Sequence, residues 1–150
     1  MRRAIICVVP MLTLAPLLVC TTVVCLEPAR WGGSINPVTI VVMAFFGLFS
    51  TPLWPTYIPA LIVTPYLMNY ISRNSMFRNA PVAVLIPLSL VFGSIGGVTV
   101  MMPVVSKCVN EPKMATNWAL AGAVAGGITL TAITLIYRRA WMGNVKTRPN

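Results

Sequence analysis

Long stretches without a charged side chain alternate along this chain with short segments that hold every charge. No Asp, Glu, Lys or Arg lies between Arg3 and Glu27, Arg30 and Arg73, Arg78 and Lys107, or Lys113 and Arg138. At 1.5 Å per residue, about 20 apolar residues cross a hydrocarbon core roughly 30 Å thick, and each stretch reaches that length. The pattern predicts an all-α, polytopic transmembrane helix bundle forming one domain over residues 1–150, with helices near 4–24, 80–105 and 116–137. Pro10 and Pro16 fall inside the first helix, as membrane helices tolerate, and Pro81 suits the opening turn of the third segment.

The second run, residues 35–71, is too long for one simple span and has no polar loop to divide it. Pro52, Pro55, Pro59 and Pro65 interrupt it, and each removes a backbone donor and crowds the preceding turn. The expected form is a crossing over 35–51 followed by a broken or re-entrant piece over 52–71, the alternative being a fifth span. Irregular backbone persists at membrane depth only when buried in protein or lining a wet cavity, and discontinuous helices mark binding sites in transporters. Thr51, Pro52, Pro55, Thr56, Tyr57, Pro59, Thr64 and Asn69 are therefore candidates for a solute path. A plainer reading places Trp54 and Tyr57 in an interfacial aromatic belt, with the prolines forming a tight turn.

Charge chooses among topologies. If the second run crosses once overall, Arg2, Arg3, Arg73, Arg78, Arg138, Arg139, Lys146 and Arg148 share one face, and Arg30, Lys107, Lys113 and both acids share the other. That is eight basic residues against three, the positive-inside pattern. Five spans with the N-terminus outside give seven against four and strand Arg2 and Arg3. Four net crossings, as two helical hairpins with both ends and a basic tail (138–150) in the cytoplasm of a bacterial inner membrane, are expected. Composition agrees: 57% of the 150 residues are hydrophobic, 9% are charged and the mean hydropathy is +0.84, whereas a soluble domain carries about 25% charged residues. The net charge of +9 does not imply nucleic acid, because the basic residues flank apolar runs instead of forming a stripe. Met1-Arg2-Arg3 and the following apolar run have the polarity of a signal peptide, but the run is longer than a signal core and no small-x-small site follows it.

The two predicted outer loops share a signature. One reads Cys25, Glu27-Pro28, Arg30, Trp31 and the other Cys108, Glu111-Pro112, Lys113, Trp118; these hold the only two acids of the chain. The match suggests a duplicated hairpin and places Cys25 and Cys108 at the outer, oxidising face, where a Cys25–Cys108 disulfide is one expectation and free thiols the other. The third and fourth segments each carry glycines four residues apart, Gly93/Gly97 and Gly122/Gly126. Missing side chains at that spacing let two backbones touch, a main source of helix association in lipid. Counted inward from the loop, Gly97 matches Gly122 in depth and Gly93 matches Gly126, so these helices are expected to pack on each other, or a homo-oligomer to use the same faces.

Catalytic chemistry is sparse. There is no His, the two carboxylates lie in loops, and no charge falls in the middle of a confident span. Four scattered Cys have no metal-ligand spacing, so no cofactor or metal is expected. In outline the chain resembles the four-helix membrane thiol oxidases that pass electrons to quinone. It departs from them in that Cys20 and Cys25 are spaced CxxxxC and the second loop offers one Cys. Two functional readings follow. One is a non-enzymatic accessory or assembly subunit packed against a membrane partner; the other is a channel or carrier for a small or uncharged solute, formed by an oligomer. The lipid bilayer is a partner in both.

Overall fold

The computed structural model describes residues 2–27, 30, 36–48, 54–74, 77, 79–108 and 110–145, and no strand occurs among them. Helix α1, Arg2–Leu26, carries Pro10 and Pro16 inside. Its Thr13, Thr21 and Thr22 hydroxyls donate to carbonyls four residues back, Val9, Leu17 and Leu18, at 2.7–2.8 Å, so no hydroxyl on this apolar rod needs water. Helix α2, Pro37–Leu48, begins with Pro at the first helical position and Asn36 as N-cap; the Asn36 side-chain oxygen accepts from the Val38 N–H at 2.9 Å. Helix α3 is Trp54–Arg73, α4 is Val82–Val105 with a 3-10 turn at Ser106–Cys108, and α5 is Pro112–Val145.

Three helices among the described residues are long and apolar enough to cross a membrane, through Ile5–Leu26, Val82–Cys108 and Pro112–Arg139. Large apolar side chains such as Val38, Ile62, Phe92 and Ile95 face outward. That surface is ill suited to water and ordinary against lipid.

Three expected boundaries differ in the structure. The piece expected to be broken over 52–71 is one α-helix from Trp54 to Arg73, with Pro59 and Pro65 inside it. A proline leaves one carbonyl of the preceding turn unbonded without ending a helix, and membrane helices absorb that loss. Of the expected crossing over 35–51, Pro37–Leu48 form α2, 12 residues or about 18 Å. The region expected to be a basic tail from 138 is helical as far as Val145, so α5 is 34 residues long, about 51 Å. Pro81 stands one place before the first helical residue of α4, as its N-cap.

Packing centres on α5. Its longest interface is with α4, the next with α1; α1 meets α2 and α3 less extensively. One buried cluster joins Val19 and Val23 of α1, Met101 of α4, and Ala121 and Ala125 of α5, with Trp118 against it. A second joins Cys7 of α1, Met68 of α3, and Ile133 and Tyr137 of α5, with Phe77 alongside. The second cluster gathers the N-terminal part of α1 with the C-terminal parts of α3 and α5 at one end of the bundle. The C-terminal part of α1, the end of α4 and the start of α5 form the other.

Candidate functional site

The two glutamate loops meet at that second end. Glu27 follows α1 directly, before the Pro28 that disfavours helical backbone at its predecessor. Glu111 precedes Pro112, the first residue of α5, and its carbonyl accepts from the Ala115 N–H at 3.0 Å, which makes Glu111 the N-cap. Its carboxylate therefore lies at the positive end of the helix dipole. Arg30 spans the two loops: Nη1 donates to Glu111 Oε2 at 3.0 Å, lies 3.6 Å from Glu27 Oε2, and reaches Met114 Sδ at 3.3 Å. Glu27 also accepts from Asn117 Nδ2 at 2.7 Å, tying α1 to α5 independently of Arg30. The hydrogen bond and charge of Glu111, and then the charge of Glu27, hold the Arg30 guanidinium above its usual range, so Arg30 is a fixed cation. An open groove of about 590 Å³ runs between Leu26, Glu27, Arg30, Glu111, Lys113 and Met114.

This arrangement fastens helix ends. Both acids of the chain are engaged by Arg30 or Asn117, and no group of three or more His, Cys, Asp or Glu among the described residues could hold a metal ion. Of the two expectations for Cys25 and Cys108, disulfide or free thiols, the structure has them unpaired, as it does Cys7 and Cys20. The reason lies in α1. Val19, Cys20, Val23 and Val24 make its buried face, and Cys25, about 100° further round, is exposed. Ion pair and amide bond join the loops where the cysteines do not.

The four glycines named from spacing come together. A Cβ placed on Gly97 would lie 2.7 Å from the Gly122 carbonyl carbon and 3.0 Å from Gly126 Cα; one on Gly93 would lie 2.9 Å from Gly127 Cα and closer still to the Gly126 carbonyl. Real Cβ atoms do not approach backbone so closely, so α4 and α5 touch main chain to main chain. Gly127, missed by the spacing argument, belongs to the same contact, with Ser94 Oγ 2.8 Å from where its Cβ would be. Further along, Ser89 Oγ lies 2.6 Å from the Leu85 carbonyl and 3.2 Å from Thr134 Oγ1, a small polar bridge between the same helices.

Of the candidate solute-path residues, Thr56 and Tyr57 bond to neighbouring helices. Thr56 Oγ1 donates to the Val100 carbonyl of α4 at 2.9 Å, and the Tyr57 hydroxyl donates to the Met11 carbonyl of α1. Thr64 and Asn69 are half-buried but lie about 140° apart around α3, and Pro59 is exposed. Pro55 is in the first turn of α3, while Thr51 and Pro52 lie outside the described residues. The chain matches no protein-family model, no curated protein and no solved structure.

Proposed function

We propose that this chain is a small multi-pass membrane protein of four net crossings that packs, without catalytic activity of its own, against a membrane partner as an accessory or assembly subunit. In this topology α2 and α3 together make the second crossing. Arg30, ahead of α2, lies with Glu111, and Met68 of α3 lies with Cys7 and Tyr137. One descent from the glutamate end to the Cys7 end satisfies both. It also keeps Arg73 and Arg78 on the side of Arg2, Arg3 and the basic C-terminal segment, as the positive-inside rule favours.

The observation that carries the subunit reading is the use made of the polar groups on α3. A path for solute needs side chains free to exchange water for cargo, whereas the hydroxyls of Thr56 and Tyr57 are engaged by carbonyls of α4 and α1. They act as glue between helices. The outward row of α4, Leu88, Phe92, Ile95 and Thr99, includes Gly96, around which a Cβ would meet nothing within 4 Å. A glycine notch on an otherwise bulky face is where a foreign helix can approach closely. Purification from native membranes in mild detergent should recover the chain with a membrane protein in fixed ratio, and Gly96→Leu should release that protein without lowering thermal stability. Recovery of the chain alone, with solute flux when it is reconstituted in vesicles, would overturn the subunit reading in favour of a carrier.

A further inference from the structure

Arg138 presents a problem that the described side chains do not solve. It is half-buried on α5, and its Nε and Nη1 atoms are buried with no hydrogen-bond partner among the described residues. A guanidinium keeps its charge even when desolvated, so it cannot relieve burial by losing a proton as a lysine can. It needs acceptors, ideally anionic ones in its own plane. The only acids of the chain, Glu27 and Glu111, are held at the opposite end of the bundle. At the Arg138 end the described charged side chains are Arg73 and Arg139, both exposed and both positive. The hydroxyl of neighbouring Tyr137, a residue only 2% exposed, also lacks a partner among the described residues.

Depth says what can reach the guanidinium. Arg138 stands 26 residues beyond Pro112, the first residue of α5, which is about 39 Å along the helix. A bilayer measures about 40–45 Å including its headgroup layers. With Pro112 and the exposed Glu111 in one headgroup layer, Arg138 lies in the other. We infer that Arg138, half-buried at the basic end of the bundle, binds the phosphate of an anionic phospholipid, its guanidinium turning outward to bring Nε and Nη1 to the headgroup. This inference needs α5 to cross the bilayer and is independent of the subunit reading.

The experiment uses the full chain in nanodiscs containing phosphatidylglycerol or phosphatidylcholine of matched acyl chains, and measures retained lipid by native mass spectrometry. Wild type should retain phosphatidylglycerol selectively. Arg138→Gln should lower that retention at least about tenfold, the scale of a hydrogen bond to a charged group. Arg139→Gln should lower it no more than about fivefold, the scale of one surface charge. Arg138→Lys, which keeps the charge and loses the planar fork, should fall between. Inorganic phosphate at millimolar concentration should not displace the lipid; displacement would make the ligand a free anion and overturn the lipid assignment. Equal losses for Arg138→Gln and Arg139→Gln would reduce the effect to diffuse charge and also overturn it. Should Arg138→Gln fail to fold, wild type and Arg138→Lys decide: wild type must melt at higher temperature in phosphatidylglycerol than in phosphatidylcholine, by a larger margin than Arg138→Lys, and equal margins count against the site.

Discussion

At the scale of single residues, the glycines of α4 separate into two kinds that sequence alone makes look alike. Gly97 has the backbone of Gly122 and Gly126 where its side chain would be, whereas Gly96, its immediate neighbour, faces open space. Gly97→Ala is therefore expected to destabilise the protein by about 1–3 kcal/mol, because backbone cannot yield as a side-chain tip can. Gly96→Ala should leave stability unchanged or raise it by about 0.5–1 kcal/mol, as alanine costs a helix less conformational entropy. Thermal melts of the two variants in one detergent make the comparison; similar melting temperatures would contradict the close contact. The four-residue spacing and the count from the loop were enough to pair Gly93 with Gly126 and Gly97 with Gly122. They could not reveal Gly127, whose role depends on how Ser94 and Leu90 are turned. Nor could they reveal that Asn117, a polar residue one turn into an apolar helix, is there to receive Glu27.

At the scale of elements, the loop signature has a physical use beside the duplicated hairpin that its repetition suggests. The two loops are brought together by α1, which packs more on α5 than on its sequence neighbour α2. What the two loops share is complementarity: the base of one, Arg30, meets the acid of the other, Glu111. Both side chains are about half exposed, so this clamp contributes modestly and is screened by salt. Arg30→Gln and Glu111→Gln should each lower the melting temperature slightly. The double variant should lose less than the sum, and the deficit should vanish near 1 M salt, where the screening length is about 3 Å. Strict additivity at low salt would show that the pair does not hold the loops. The extent of α3 was also hard to read, since proline spacing marks where hydrogen bonds are lost and not whether neighbours compensate. In α3 the bonds from Thr56 to α4 and from Tyr57 to α1 fix its first turns against the bundle.

At the scale of the whole molecule, the charge pattern and the apolar runs made the helical, membrane-crossing character legible, because lipid excludes charge regardless of tertiary detail. The partition of the second run was less so, since hydropathy cannot tell one crossing in two helical pieces from two crossings. The proposed four-crossing bundle requires the glutamate loops to share one face of the membrane and the two chain ends to share the other. Cysteine labelling in intact cells tests that arrangement most directly. With Cys7 and Cys20 replaced by Ala, variants should retain Cys25 alone, Cys108 alone, or a single thiol introduced by Asn79→Cys or Arg139→Cys, all at exposed or part-exposed positions. A membrane-impermeant maleimide should label Cys25 and Cys108 from outside, and the Asn79→Cys and Arg139→Cys variants only after the membrane is opened. Labelling of Cys25 and Cys108 from opposite faces would mean that α2 and α3 each cross, and would contradict the four-crossing bundle.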